Sequence, residues 1–204
     1  PGQRADRRPV RLTSPDLSVK GFYLDFLAAD QAGTLRPQTV QSQRGRDAMR
    51  AALLRNTGDE KLEIRDDVEL GPVGPGQVKV KIMATGVCHS DISGMNGTIP
   101  QPAPFIPGHE GAGIVAEVGE GVTSVQPGDH VIIAWSAPCG ECKYCVDRKQ
   151  PNLCMNITFG VGATPHFMLD GAPVLGFAGS GTWAEEMIMP QQGAVTIDPD
   201  TPHE

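Results

Sequence analysis

No apolar run in this 204-residue chain approaches the ~18 residues that a membrane-crossing helix needs. No secretory hydrophobic region stands near the start. There is no large basic patch, which argues against nucleic acid as a partner, and no regular internal repeat. A dinucleotide-binding strand–helix–strand unit is also missing. The stretch Gly111-Ala112-Gly113-Ile114-Val115-Ala116 fits G-x-G-x-x-A, but that motif works only where a helix opens within it. Here β-branched, alternating residues come next, so a strand is expected. These absences leave a protein with neither a membrane nor a nucleic-acid partner.

Glycine (25) and proline (18) are plentiful, favouring short strands and turns over long helices. The net charge of −7 is unevenly spread. Residues 1–48 carry eight Lys/Arg against five Asp; residues 49–204 carry nine against nineteen Asp/Glu. The first 48 residues read as a basic extension, with a short amphipathic helix over 19–30 and a polar, disordered remainder. Met49 reads as the natural start of the acidic, strand-rich part of the chain. Strands are expected at 49–55, 62–70, 77–87, 111–119, the Val131–Ile133 region, 183–190 and 194–197. In the clearest, Val78, Val80 and Ile82 share one face and Gln77, Lys79 and Lys81 the other. A short helix capped near Ser90 or Asp91 comes after it. The pattern predicts an antiparallel β-barrel.

Four of the five cysteines lie within Cys139–Cys154, at 139, 142, 145 and 154. Each Cys-x-x-Cys step lets two sulfurs face one centre, and a tetrahedral Zn²⁺ takes four ligands about 2.3 Å away. Disulfides suit small secreted domains, and redox dithiols come in pairs. A packed quartet points instead to a closed, structural zinc lobe and a reducing, cytoplasmic setting.

Cys88 is the remaining cysteine. His109 stands 21 residues later in Pro107-Gly108-His109-Glu110. Singly, each is usually a core or structural residue. Together, each in a turn beside a strand, they fit two ligands of an open catalytic zinc. Glu110 reads as a near-metal carboxylate or an ion-pair partner. Asp91 is placed to accept the second ring N–H of a zinc-bound histidine, and Ser90 to carry a proton toward solvent.

Over residues 49–200 the sequence resembles the N-terminal catalytic domain of zinc-dependent medium-chain alcohol dehydrogenases. The resemblance rests on G108-H109-E110-x-x-G113-x5-G119-x-x-V122, on GVCHSD (86–91) and on the Cys139–Cys154 lobe. The segment DGAPVLGFAGSGTWAEE is similar to the formaldehyde dehydrogenase (class III) branch. The resemblance implies a mainly β, GroES-like, partly open antiparallel barrel. It implies Cys88, His109 and Glu110 at a catalytic zinc, and Cys139, Cys142, Cys145 and Cys154 at a structural one. It also implies Ser90 as proton relay, His89 beside the cofactor pyrophosphate and Trp135 lining the substrate pocket. The implied reaction oxidises a small alcohol, or reduces an aldehyde, by hydride transfer between a zinc-bound alkoxide and NAD⁺ or NADP⁺. The resemblance implies a homo-oligomer for the full-length enzyme.

The sequence departs from the family in three places. No cysteine lies beyond Cys154 to serve as third catalytic ligand, and no nucleotide-binding Rossmann domain is seen. Eight residues separate Cys145 from Cys154, one more than usual. The expectation is therefore a truncated chain, incomplete for catalysis by itself. The alternatives are a zinc-binding module that keeps only the structural zinc, and an interaction role for the lobe.

Overall fold

Alternating apolar and polar side chains build the central strand, β3 (Gln77–Thr85), in a computed structural model that describes residues 48–155 and 165–202. Val78 and Val80 are fully buried, while Lys81 on the opposite face is exposed. β3 pairs antiparallel with β5 (Gly111–Val118) on one side and β9 (Glu186–Pro190) on the other. Lys79 faces Glu117 across the β3–β5 ladder and their side chains meet at 2.8 Å. β6 (His130–Ile133) and β10 (Ala194–Thr196) complete a sheet ordered β10-β6-β5-β3-β9. A Cβ at Gly113 would run into the Lys81 carbonyl oxygen and stand 2.8 Å from Val80 Cγ1. Glycine is what lets β5 and β3 approach there.

The second sheet is ordered β1-β2-β7-β8-β4: Ala48–Leu53, Glu63–Leu70, Phe167–Leu169, Ala172–Gly176 and Phe105–Ile106. It curls back on itself. Leu54, just past β1, exchanges two backbone hydrogen bonds with Phe105 of β4, at 2.9 and 3.1 Å. The sheets join where the Ala52 N–H donates to the Trp183 carbonyl (2.9 Å) and the Glu185 N–H to the Arg50 carbonyl (3.0 Å). Between them lies one apolar core containing Val68, Val78, Val80, Val115, Val131, Phe167 and Met187. Burying each such side chain contributes roughly 1.5–3 kcal/mol.

Most of this architecture follows the alternation in the sequence, including the strand that replaces a dinucleotide turn at Gly111–Val118. Three strands escaped it: the two residues of β4 lie between Pro104 and Pro107, the three of β7 run into the Asp170-Gly171 turn, and β8 contains Pro173. The pairing among the described residues is antiparallel as expected, except that β4 runs parallel to β8. α1 (His89–Met95) has Cys88 at its N-cap, two residues before Ser90 and three before Asp91, the caps expected from the sequence. It connects β3 to β4, which lie in different sheets, so no dinucleotide-type unit forms among the described residues. No helix among them is long and apolar enough to cross a membrane. The basic extension, with its helix over 19–30, lies outside the described residues except for Ala48.

β7 seals the barrel through Phe167, which is fully buried and packs its ring against Gly181. Phe167→Ala should cost ~3–5 kcal/mol, measured as a lower midpoint of urea unfolding. A loss under about 1 kcal/mol would mean that β7 does not close the core.

Candidate metal centres

The lobe is built from two short turns of helix, α2 (Lys143–Val146) and a 3-10 turn at Pro151–Leu153. They bring four thiols together. The Cys142 Sγ lies 3.6 Å from Cys145 Sγ and 3.9 Å from Cys154 Sγ, and Cys154 Sγ lies 3.5 Å from Cys139 Sγ. All four sulfurs fall within 4.8 Å of one another. Sulfurs at the corners of a tetrahedron of ~2.3 Å radius are ~3.8 Å apart, so the spacing fits a tetrahedral zinc. Backbone N–H groups already face the sulfurs, Cys139 N–H toward Cys154 Sγ and Cys142 N–H toward Cys139 Sγ, each at 3.3 Å.

Ionisation within the quartet is uneven. Backbone N–H donors of Cys145 and Met155 pull the Cys142 thiol down to about 6. Removal from water, with neighbouring sulfurs adding to it, pushes Cys145 up to about 12. Packed thiols cannot all ionise without a cation among them. All are free thiols, and the cluster is suited to a structural zinc.

The second constellation sits where β3 ends and β5 begins. Thr85 pairs with Gly111 in the ladder. Cys88 lies three residues past one end and His109 two residues before the other, so antiparallel pairing brings together side chains 21 residues apart in sequence. Ligand atoms of Cys88, His109 and Glu110 lie within 4.8 Å of one another. His109 is buried, Cys88 half-buried and the Glu110 side chain exposed. Glu110 folds over Gly86, with its Oε2 2.6 Å from where a Gly86 Cβ would stand.

Asp91 holds this arrangement. It is fully buried. Its Oδ2 accepts the Cys88 backbone N–H at 3.0 Å; its Oδ1 accepts the Gly108 N–H at 2.9 Å and faces His109 Nδ1 at 3.1 Å. With the Nδ1 proton given to Asp91, His109 presents Nε2 as a lone-pair donor. Gly108 has a φ of 94°, and a Cβ there would meet Trp183 Cδ1 and, at 2.5 Å, Thr182 Oγ1. Only glycine fits that turn.

Ser90 Oγ lies 3.5 Å from Cys88 Sγ. The Trp135 ring is 5.5 Å from the His109 ring and more than half exposed. His89 is exposed, with its Nδ1 3.3 Å from Ser93 Oγ. Sequence reasoning missed Phe177, whose buried ring meets His109 edge-on at 5.5 Å. It also missed Trp183, whose indole N–H donates to the Gly86 carbonyl at 3.1 Å. No spacing rule ties residues 177 or 183 to 86 and 109; only the folded sheets do.

Comparison with known proteins agrees with this geometry. Residues 74–199 match the family model described as the alcohol dehydrogenase GroES-like domain. The chain is 41% identical over 145 residues to an S-(hydroxymethyl)glutathione dehydrogenase of Escherichia coli O1:K1 / APEC, a match that covers 68% of this chain and 39% of the relative. Among solved structures it is similar to an alcohol dehydrogenase zinc-binding domain protein from Burkholderia ambifaria (TM-score 0.70, 26% identity, 76% of this chain and 43% of that one). It is also similar to benzyl alcohol dehydrogenase from Acinetobacter calcoaceticus (TM-score 0.66, 28% identity, 76% and 42%). The chain thus spans about two fifths of the length of the relatives it matches. On its fold, its two residue clusters and a family match covering well over half its length, the chain belongs to the alcohol dehydrogenase GroES-like domain family.

Proposed function

We propose that this chain is the zinc-dependent catalytic domain of an NAD-linked alcohol dehydrogenase. Cys88 and His109 hold the catalytic zinc, with Glu110 as the carboxylate beside it. The observation that carries the reading is Asp91, a buried carboxylate bonded to the Cys88 backbone and to His109 Nδ1 at once. Bound there, zinc supplies a Lewis acid that lowers the pKa of an alcohol, and NAD⁺ supplies the hydride acceptor.

The chain's own groups do the rest. Asp91 fixes the His109 tautomer and ring plane. Ser90 Oγ, beside Cys88 Sγ, accepts the proton that leaves the substrate hydroxyl and passes it toward solvent. Phe177 packs its buried ring against His109, and Trp135, on the exposed side of that ring, lines the substrate pocket. His89, exposed at the first turn of α1, would stand beside the cofactor pyrophosphate. The substrate class is an alcohol or aldehyde, and the name of the E. coli relative points to hydroxymethyl adducts of glutathione as one member of it. The four-thiolate lobe holds the structural zinc that shapes residues 139–154, and its free thiols fit a reducing, cytoplasmic compartment.

Purified, dialysed chain should carry two zinc ions by elemental analysis. Cys142→Ser should lose the tighter one, because three remaining thiolates no longer close the tetrahedron. Unchanged zinc content would remove the structural-site assignment. Asp91→Asn keeps the size but has one acceptor oxygen in place of two, so its NH2 must face either the Cys88 N–H or the Gly108 N–H and His109 Nδ1. It should weaken the second zinc ~10–100-fold in a chelator competition and spare the first. Equal affinity in parent and variant would count against Asp91 as the organiser of the centre.

A further inference from the structure

We propose that Trp183 is a positioning residue for the Cys88–His109 centre: it sets the distance between the two ligand-bearing loops, and through it the affinity of that centre for metal. The inference rests on the metal reading above. Trp183 touches both loops with different parts of itself. Its indole N–H donates to the Gly86 carbonyl, two residues before Cys88, at 3.1 Å. Its backbone N–H donates to the Pro107 carbonyl, two residues before His109, at 3.1 Å. Its Cδ1 fills the space above Gly108 that a side chain would otherwise take.

The neighbouring bonds leave little slack. The Gly108 carbonyl accepts the N–H groups of Gly181 (2.9 Å) and Thr182 (3.0 Å), so the segment carrying Trp183, just before β9, is strapped to the His109 turn. Thr182 Oγ1 meets Thr85 Oγ1 at 2.7 Å, strapping it to the end of β3 as well. Gly86 is held from the other side, donating its N–H to the Glu110 carbonyl at 2.7 Å. Trp183 is 6% exposed. A buried residue bonded to one ligand loop by its side chain and to the other by its backbone acts as a spacer: it transmits the rigidity of the core to groups whose separation a metal must match.

The bond, rather than the bulk, is the part that can be removed cleanly. Trp183→Phe keeps an aromatic ring and deletes the N–H to Gly86. In the full chain, zinc affinity is read by chelator competition, with Cys88→Ser identifying which zinc belongs to the Cys88–His109 centre. Trp183→Phe should weaken that zinc ~10–100-fold while the lobe zinc holds as in the parent. Selectivity separates positioning from a merely structural role, which would weaken both zincs together with the unfolding midpoint. That parallel loss, or an unchanged second affinity, overturns the proposal while leaving the metal reading intact. A parent chain with no zinc sensitive to Cys88→Ser overturns both.

A second readout covers a variant that fails to fold. The chain has two tryptophans, so Trp135→Phe leaves Trp183 as the sole indole. Its emission should change during zinc titration with the affinity of the Cys88-dependent site. Emission that stays constant while that site fills also overturns the proposal.

Discussion

A carboxylate with no access to water organises the proposed reaction centre. Asp91 is fully buried and would cost several kcal/mol if left unpaired. It is instead met by three N–H groups, from Cys88, Gly108 and the His109 ring. Those donors come from the N-cap of α1 and from the turn that enters β5. The helix start, the cysteine loop and the histidine loop therefore answer to one charge. Moving any of them strands that charge, so the centre is held in place before any metal arrives.

The lobe solves the same problem with different material. Cys154 is its one buried residue among 139–155, and Val146, Leu153 and Met155 stay exposed. There is too little apolar burial to order seventeen residues against their conformational entropy. Four sulfurs around a cation supply what a core would supply elsewhere, because binding energy there is folding energy. The two centres thus differ in kind. With an ion bound, four thiolates would leave the lobe no position for a substrate. The Cys88–His109 cluster is shaped by Asp91, Gly108 and the sheet ladder.

Reading the sequence reached the residues of both clusters and most of the long strands, because these signals are local. A Cys-x-x-Cys step, an alternating run such as Val78–Lys81 and a glycine-flanked histidine each declare themselves within a few residues. Strands set among turn residues do not: β4 lies between two prolines, β7 runs into Asp170-Gly171 and β8 contains Pro173. Nor was the parallel contact of β4 with β8 legible, since it depends on how the second sheet curls to let Leu54 meet Phe105. Asp91 was legible as a partner for a histidine. That it also binds the Cys88 and Gly108 backbone was not.

By itself, then, the sequence determined the chemistry available: four thiols at tetrahedral spacing, one further thiol, one imidazole and the carboxylates beside them. It also determined the strand periodicity that makes a β-barrel. Only the tertiary structure decided which of these groups form a centre. Cys88 meets His109 because antiparallel pairing aligns Thr85 with Gly111. Trp183 meets both loops because the segment leading into β9 crosses the junction of the two sheets. Contacts between residues tens of positions apart come from how sheets pair and close, and no local pattern carries that information.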